Sequence, residues 1–526
     1  MTSQISIKIL QKFSLGLFIL LLLSITSCRT DFETEISSGF LEFSKDTVYL
    51  DTVFTNIGSS TYTLKVYNRS RKDIHIPTIK LARGENSNYR LNVDGVPGKY
   101  FEEVTLLAKD SLFVFIETTL DIQNLSTEDA YLYTDKILFE GSSQQQEVEL
   151  VTLVKDAIFL YPERYADGTR ETLTLGIDEE GEPIEIEGFF LKDQQLHFTS
   201  DLPYVIYGYA AVPPNKIMQI DAGARLHFHR NSGIIVANQA SLHANGEPSQ
   251  NPQEMEKEII FQGDRLEPDF ANIPGQWDAI WLTKGSTNNY LKHTTIKNAT
   301  VGLLVEGNDG GAPLNLENVQ LYNNSNVGIL ARTAHITGVN VVVANSGQSA
   351  FAGTLGGKYS FTHSTFANYW KRSHRSLPAV LLSNQMAISN TEILVSDLEK
   401  ANFNNCIIYG SNQQELVLEN NENAAFNFTI DHSLIRLEDP YQHLVDIPEY
   451  DFEDSDLYKN IVKNSDPKFH NPDKSNFHID IQESAARHIG NSAYTIDAPN
   501  DLDGEVRPSS QPDAGAYQAT EIIEEE

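Results

Sequence analysis

The sequence predicts an all-β protein in two parts, an N-terminal β-sandwich followed by a solenoid of stacked strand repeats. Two observations predict this fold. Short runs of alternating apolar and polar residues, separated by Gly, Asn, Asp and Ser, fill residues 40–156. A phrase of eight residues then returns every twenty-odd residues between positions 291 and 437. A fixed period of this length is typical of proteins built from stacked units.

The third position of the repeated phrase is always Asn or His. It is occupied in turn by His293, Asn318, Asn340, His363, Asn405 and His432. Asn and His enter the left-handed backbone region more readily than most residues, so this column predicts a sharp bend between two strands of each coil. We favour this structural role, with side-chain amides hydrogen-bonded along the column, over a role as ligands or catalysts. The longest gap in the column, 42 residues, predicts one degenerate repeat near residues 384–390.

This pattern resembles the right-handed parallel β-helix of the pectate-lyase-like superfamily over residues 203–517. In that fold a similar asparagine column lies inside the corner. The resemblance implies the fold and leaves the function open, because the fold hosts lyases, hydrolases, adhesins and proteins with no known reaction.

Cys406 stands at the fourth position of its phrase, a column of small or branched residues. The others in this column are Thr294, Val319, Val341, Ser364 and Ser433. We therefore predict Cys406 to be buried packing and not a nucleophile.

Residues 1–27 have the features of a lipoprotein signal peptide. Lys8 and Lys12 precede an apolar run over residues 13–23. The segment ends in Ile-Thr-Ser-Cys28, which resembles the bacterial lipobox, where the cysteine is acylated and becomes the first residue of the mature chain. The resemblance implies a protein of the bacterial cell envelope, held by acylated Cys28 in the lipid bilayer of the outer membrane. The alternative is an ordinary secretory signal with a chance cysteine.

After a tether at residues 28–39, the alternating runs suit a β-sandwich. The predicted strands cover residues 41–43, 61–67, 74–81, 111–119, 136–139 and 146–154. The segment Asp51-Thr-Val-Phe54 resembles immunoglobulin-like domains of Bacteroidetes-type lipoproteins. The resemblance implies that the β-sandwich is a spacer or an interaction module. Residues 157–202 are rich in acids and are predicted to form a solvated connector.

The C-terminal part carries a second motif, Asp501-Leu-Asp-Gly-Glu-Val-Arg507 followed by Pro512-Asp-Ala-Gly-Ala-Tyr517. It resembles a segment common in secreted β-helix proteins. A stacked array exposes an apolar end, so we predict that this segment caps the solenoid through paired Asp and Arg residues. The alternative is Ca²⁺ binding at Asp501 and Asp503, a weak signal beside a complete Ca²⁺ loop. An acidic tail at residues 518–526 follows and is predicted to be disordered.

Charge and motifs exclude several functions. The 526 residues carry a formal net charge of −33, which argues against nucleic acid as the main partner. The sequence has no paired aspartates of the polygalacturonase type, no acidic Ca²⁺ cluster with a basic partner, no serine elbow, no phosphate loop and no zinc motif. We therefore predict no cofactor, no metal site and no defined catalytic set.

One segment forms a local basic site in this acidic chain. Aromatic side chains stack on the faces of sugars, and arginine pairs with carboxylates or sulfates. We predict that the segment binds an acidic glycan; the alternative is a solvated basic loop that balances nearby acids. The predicted ligand-binding residues are Tyr369, Trp370, Lys371, Arg372, His374 and Arg375.

Two functional interpretations remain open. The favoured one is a membrane-anchored lipoprotein whose β-helix is a non-catalytic scaffold that binds glycans or gives structure. The alternative is a polysaccharide lyase or glycosidase acting on an acidic polysaccharide, with His363 or His374 assisted by Lys371 and Arg372. Carboxylates and a base converging on one face of the structure would favour the enzyme.

Overall fold

The structure is a computed structural model that describes residues 34–121, 132–178, 181–251, 254–308, 312–389 and 392–521. The predicted signal peptide, its Cys28 and the end of the acidic tail lie outside these residues. The chain divides into two compact units, residues 1–155 and residues 156–526. Within the described ranges, no helix has the length and apolar character needed to cross a membrane. The described helical segments are 3-10 turns at Gly84–Asn86, Asp193–Gln195, Pro268–Phe270, Pro448–Tyr450, Pro472–Lys474 and Ser492–Thr495.

The first unit is a sandwich of two sheets. Its strands are β1 (Glu35–Ile36), β2 (Glu42–Phe43), β3 (Thr47–Phe54), β4 (Tyr62–Tyr67), β5 (Ile74–Leu81), β6 (Tyr89–Val93), β7 (Val96–Gly98), β8 (Tyr100–Leu106), β9 (Ser111–Thr118), β10 (Leu132–Phe139) and β11 (Gln146–Lys155). One sheet has the order β1-β5-β10-β11-β3 with β8 on β5, and the other has the order β2-β4-β9-β6-β7. Alternate residues of both sheets, such as Val114 and Val148, are buried between them. The resemblance of this unit to immunoglobulin-like domains stays a prediction.

The second unit begins with short strands and continues with longer ones. Its first half contains β12 (Ile158–Leu160), β13 (Thr172–Ile177), β14 (Pro183–Phe190), β15 (His197–Phe198), β16 (Tyr204–Ile206), β17 (Tyr209–Val212), β18 (Ile217–Asp221), β19 (Arg225–Phe228), β20 (Gly233–Val236), β21 (Ser241–Asn245), β22 (Ile259–Gly263), β23 (Trp277–Leu282), β24 (Tyr290–Lys297) and β25 (Ala299–Glu306).

The second half contains β26 (Leu314–Tyr322), β27 (Val327–Ala344), β28 (Phe351–Thr362), β29 (Thr365–Asn368), β30 (Val380–Ser383), β31 (Gln385–Ala387), β32 (Ile393–Val395), β33 (Leu398–Asn404), β34 (Ile407–Gly410), β35 (Leu416–Glu419), β36 (Phe426–Asp431), β37 (Leu434–Ile435), β38 (Tyr458–Lys459), β39 (Val462–Lys463), β40 (Phe469–Asn471) and β41 (Asn476–Ile479).

Successive coils of the second unit pair in parallel and build three stacks of strands. The first stack is β15-β18-β21-β24-β26-β27-β28-β33-β36-β38, and the second is β12-β16-β19-β22-β24-β26-β27-β29-β34-β37-β39. The third is β14-β17-β20-β23-β25-β27-β28-β30-β35. The long strands β24, β26, β27 and β28 turn a corner and contribute to two or three stacks. The predicted fold class, a β-sandwich followed by a right-handed parallel β-helix, is confirmed.

The interior of the solenoid consists of aligned rows of apolar side chains. One row contains the fully buried residues Ile296, Leu321, Val343, Phe366, Ile408 and Ile435. Burying each such side chain stabilises the fold by about 1.5–3 kcal/mol. Cys406 is also fully buried, and burial raises the pKa of its thiol to about 12. The predicted packing role of Cys406 is confirmed.

The column of Asn and His forms the corner between the first and second stacks, as predicted. All six residues have a left-handed backbone, with φ between 42° and 55°. Asn340 Nδ2 donates to Asn318 Oδ1 at 2.8 Å, and Asn405 Nδ2 lies 2.9 Å from His363 Nε2. Several neighbouring corners therefore satisfy each other's polar groups.

The predicted degenerate repeat between His363 and Asn405 is wrong. Phe361 pairs directly with Phe403, so the 42 residues form a single coil. The extra length contains the loop that follows Asn368 and a hairpin of β31 and β32. Spacing alone cannot separate two regular coils from one coil with insertions, because both return the chain to the same corner.

Two predicted boundaries also change. The first coil begins inside the predicted connector at residues 157–202, where β12 pairs with β16 and β14 pairs with β17. The acidic, irregular sequence of this region includes the antiparallel β13–β14 hairpin. In the predicted tether, Glu35 and Ile36 pair with Ile74 and His75 in the first sheet.

Replacing Asn405 tests the corner. Asn405→Ala removes the bonds to His363 and to the backbone of Asn491 and places a less tolerant residue at φ 51°. We expect a loss of about 2–4 kcal/mol in the free energy of unfolding. Asn405→Gly should lose less, because glycine accepts this backbone. Urea denaturation followed by tryptophan fluorescence measures the change, since all three tryptophans lie in the second unit. Equal stability of Asn405→Ala and the exposed control Asn423→Ala would contradict the corner's role.

Candidate functional site

The outward face of the second stack changes character along the solenoid. In the coils of β24 and β26 its residues are polar: Thr295, Lys297, Gln320 and Tyr322. In the later coils the aligned positions become mostly apolar, as in Val342, Ala344, Ala367, Ile407, Tyr409 and Leu434. The apolar part is covered by residues 469–521, which we call the strap: Phe477 and Tyr517 pack on the first three of these residues. In the polar part, which lies at the edge of the strap, Lys297, Gln320 and Tyr322 stay partly exposed; we call this part the open face.

The strap contains the predicted C-terminal cap but runs along the solenoid and not across its end. Arg507 Nη2 donates to Asn340 Oδ1 at 2.8 Å, and Gly515 N donates to the carbonyl of Asn405 at 2.8 Å, so the strap contacts successive corners. Among the described contacts, Arg507 forms no ion pair with Asp501, whose carboxylate accepts backbone N–H groups instead. The end of the solenoid is packed by Phe452 and neighbouring residues.

A cavity of about 260 Å³ lies where the strap meets the open face, and we call it the carboxylate pocket. Three parts of the chain form its walls: the loop before β22, the corner and open face, and the strap. Its lining residues are Pro248, Ser249, Met255, Glu258, His293, Gln320, Tyr322, Lys474, Ser475, Asn476, His478, Leu502, Asp503 and Tyr517.

Glu258 enters this pocket at the start of β22. The guanidinium of Arg225 fixes the loop that carries it, since Nη1 donates to the carbonyl of Glu258 at 2.6 Å and Nη2 to the carbonyl of Met255 at 2.5 Å. Burial raises the pKa of Glu258 above its ordinary value, and the nearby charges of Asp503 and Glu256 add to the rise against the opposing effect of Arg225. Glu258 therefore keeps its proton to a higher pH than an ordinary glutamic acid.

Asp503 approaches the same pocket from the strap. Its Oδ2 lies 2.6 Å from His478 Nε2, and its side chain is 37% exposed. The His478 ring is held in turn, with Nδ1 2.7 Å from Asn476 Oδ1 and its face stacked on Tyr517 at 3.9 Å between ring centroids. This chain of contacts fixes the direction of the Asp503 carboxylate.

The pocket thus joins two carboxyl groups in different environments. One is half-buried with a raised pKa, and the other is exposed and bonded to an imidazole; differences of this kind separate a general acid from a base in proteins. The rings of Tyr322 and Tyr517 and the amides of Gln320 and Asn476 surround them. The described residues contain no group of three or more His, Cys, Asp or Glu placed to hold a metal ion.

Four of the six predicted ligand-binding residues meet in a second cavity of about 240 Å³, which we call the basic pocket. Lys371 pairs with Asp473 at 2.6 Å, and Arg372 Nη2 donates to the carbonyl of Asn272 at 2.9 Å. The pocket is lined by Asn272, Asn323, Asn345, Tyr369, Trp370, Lys371, Arg372, Pro472 and Asp473.

Arg375 and His374 do not join this pocket. The Arg375 side chain is 2% exposed and bonds to the buried carboxylate of Glu415 at 2.8 Å and to the carbonyl of Asn368 at 2.9 Å. It is a structural residue and not a ligand, which corrects the prediction. His374 is exposed and lies outside the lining of both pockets.

The alternative prediction that His363 is catalytic is also wrong, because its side chain is buried, as that of Arg375 is. The His363 side chain is fully buried in the corner column, where Nε2 faces Asn405. Burial, reinforced by the charge of Arg507, lowers the pKa of His363 well below its ordinary value. The four residues of the predicted catalytic alternative are therefore not brought together.

Sequence reasoning missed Glu258, His478 and Asp503 as one site. Glu258 lies at the end of a polar insertion, and Asp503 belongs to the C-terminal motif, about half the chain away. The only signal was the motif itself, since its aspartates suggested a functional role. Their meeting depends on where the strap lies on the solenoid.

No family model matches the chain, and neither does any curated protein. Among solved structures it is similar to the catalytic domain of a GH87 alpha-1,3-glucanase, at 10% identity over 76% of this chain and 86% of that one, with a TM-score of 0.21. The GH87 alpha-1,3-glucanase of Streptomyces thermodiastaticus strain HF3-3 matches at 10% identity over 70% and 79%, with a TM-score of 0.19. A family 123 glycoside hydrolase from Clostridium perfringens matches at 8% identity over 22% and 25%, with a TM-score of 0.15. These scores carry no argument about the reaction.

The buried ion pair gives a test of the corrected role of Arg375. Arg375→Ala leaves the Glu415 carboxylate buried without its cation, and we expect a loss of about 3–5 kcal/mol in the free energy of unfolding. Lys371→Ala breaks an exposed pair and should cost about 1 kcal/mol or less. Urea denaturation measures both. Equal effects of the two substitutions would show that Arg375 does not stabilise the fold.

Proposed function

We propose that this protein is a glycoside hydrolase that cleaves a glycan in the carboxylate pocket. The observation that carries the proposal is the pair of carboxyl groups in that pocket, Glu258 with its raised pKa and Asp503 bonded to His478. Hydrolysis of a glycosidic bond uses such a pair, one protonated and one ionised, on either side of the scissile bond.

Each carboxyl group has a defined part in the reaction. Glu258 donates its proton to the glycosidic oxygen as the bond from that oxygen to the sugar carbon breaks. Asp503 faces the positive charge that develops on the sugar and takes a proton from the water that adds to the same carbon. His478 is a positioning residue, because it holds the Asp503 carboxylate at 2.6 Å. Asp503 then releases the proton it took to solvent, and the proton lost by Glu258 is replaced from solvent.

The lining of the pocket suits a sugar. Tyr322 offers an aromatic ring for the C–H side of a pyranose, and Gln320, Asn476 and Lys474 offer hydrogen-bonding groups for hydroxyls.

One observation favours a second candidate, a polysaccharide lyase. Lys297 stands beside Tyr322 on the open face, and burial together with the charge of Arg225 lowers its pKa. A lysine with a lowered pKa can remove a proton from carbon, which leads to elimination and an unsaturated product. The two reactions differ in their products, so one assay separates them.

Substituting the two carboxyl groups tests the proposal. We expect Glu258→Gln and Asp503→Asn each to lower kcat by about 10²–10⁴-fold. Activity should fall as pH rises through the raised pKa of Glu258, because the acid works only while protonated, so the active range should extend above the 4.5 typical of glutamic acid. The assay incubates the full-length protein in detergent with neutral and acidic polysaccharides and follows both new reducing ends and unsaturated products.

Glu254→Gln is the matched control, since this nearby carboxylate is exposed and outside the pocket lining; it should keep most of the activity. Unsaturated product that disappears in Lys297→Ala would favour the lyase. Absence of product from every polysaccharide, with the protein folded, would contradict both enzymes and leave the β-helix as a non-catalytic scaffold.

We also propose that the protein is a lipoprotein anchored in the bacterial outer membrane through acylated Cys28. The lipobox and the apolar run before it support this anchor. Cys28→Ala should abolish incorporation of labelled palmitate, whereas Cys406→Ser, which changes the only other cysteine, should leave it intact. Labelling that persists in Cys28→Ala would rule out the anchor.

A further inference from the structure

We propose that the basic pocket is an anion-binding subsite next to the carboxylate pocket. In it, Arg372 and Lys371 bind the carboxylate or sulfate of an acidic sugar, and Trp370 supports the sugar ring. The inference deepens the proposed function by naming an acidic glycan as the ligand. It rests on that function only for the cleavage of the bound chain.

The two pockets are neighbours on one face of the solenoid. Tyr322 lines the carboxylate pocket and the next residue, Asn323, lines the basic pocket; Lys474 and Asp473 divide in the same way. Because consecutive Cα atoms are about 3.8 Å apart, the two pockets are adjacent. Residues 472–476 line both pockets, and we call this segment the ridge. One glycan chain can therefore reach both.

The ridge is fixed to the solenoid. Asn345 Nδ2 donates to the carbonyl of Pro472 at 2.9 Å and contacts Ser475 Oγ at 3.1 Å. Asn345 Oδ1 also accepts the backbone N–H of Tyr369 at 3.3 Å, at the start of the basic loop. Asn345 thus connects the ridge, which lines both pockets, to Tyr369, which precedes Lys371 and Arg372 in the chain.

Lys371 and Arg372 are free enough to bind an anion. The ion pair between Lys371 and Asp473 is exposed on both sides, with side-chain exposures of 70% and 62%, so it contributes little and can be exchanged for a ligand. Arg372 donates Nη2 to the carbonyl of Asn272, a neutral acceptor. Its charge is therefore balanced by no carboxylate among the described contacts, and a planar guanidinium suits a carboxylate or sulfate.

Trp370 is held in a defined position. Its Nε1 donates to Ser373 Oγ at 2.9 Å. The indole also lies beside Gly347, where a Cβ would be 3.4 Å from Trp370 Cζ2, an ordinary van der Waals distance. A fixed aromatic ring beside two cations offers both parts of an acidic sugar a partner, its apolar face and its charge.

Binding experiments on the full-length protein in detergent test this subsite. The probes are polygalacturonate for carboxylates, dextran sulfate for sulfates and dextran as the neutral polymer. We expect at least one acidic polymer to bind more tightly than dextran, and Lys371→Ala/Arg372→Ala to weaken that binding by about 10- to 100-fold. Trp370→Ala should weaken binding of all polymers that bind. Arg230→Ala, which removes an exposed arginine elsewhere on the solenoid, should leave the affinity unchanged.

The outcomes separate this inference from the proposed hydrolysis. Preference for polygalacturonate would identify a carboxylate ligand, and preference for dextran sulfate a sulfate ligand. Glu258→Gln should retain full binding, so loss of cleavage without loss of affinity concerns the carboxylate pocket alone. The subsite is wrong if the wild type binds neither acidic polymer, or if the double variant, shown to be folded by its urea midpoint, binds them as the wild type does.

Discussion

The left-handed corner at the third position of each coil is the constraint on which this structure depends. Because the backbone turns at the same place in every coil, strands of successive coils meet in register and exchange their backbone hydrogen bonds. The same register stacks like on like, with apolar rows inside and amide or imidazole groups in the corner. Even the coil with large insertions between His363 and Asn405 returns to this corner, which keeps the array continuous.

Register also decides where a ligand can bind. The rows that face outward from the second stack are apolar in the later coils, where the strap buries them, and polar at Thr295, Lys297, Gln320 and Tyr322. A strap that covered the whole face would leave a scaffold without a groove. Because it stops short, its edge, the open strands and the loop before β22 form the walls of a pocket; the loop supplies Glu258 and the strap supplies Asp503.

The two carboxyl groups of the carboxylate pocket lie in different environments. Glu258 is half-buried and its pKa is raised by burial, while Asp503 is exposed and bonded to an imidazole. Across the ridge, Lys371 and Arg372 form a small positive area in a chain of net charge −33. Arg375, three residues after Arg372, is buried instead, and its charge is paired inside the fold with the carboxylate of Glu415. Basic residues of one short segment thus differ in exposure.

The sequence by itself determined the architecture, because period, strand alternation and left-handed corner residues are local properties that repeat along the chain. It also determined the buried role of Cys406 and several strands of the sandwich, such as Ile74–Leu81. It did not separate Arg372 from Arg375, since their exposure depends on Glu415, forty residues later. Only the tertiary structure decided that Glu258 and Asp503 share a pocket, because that pairing depends on the path of the strap over the coils and has no counterpart in sequence spacing.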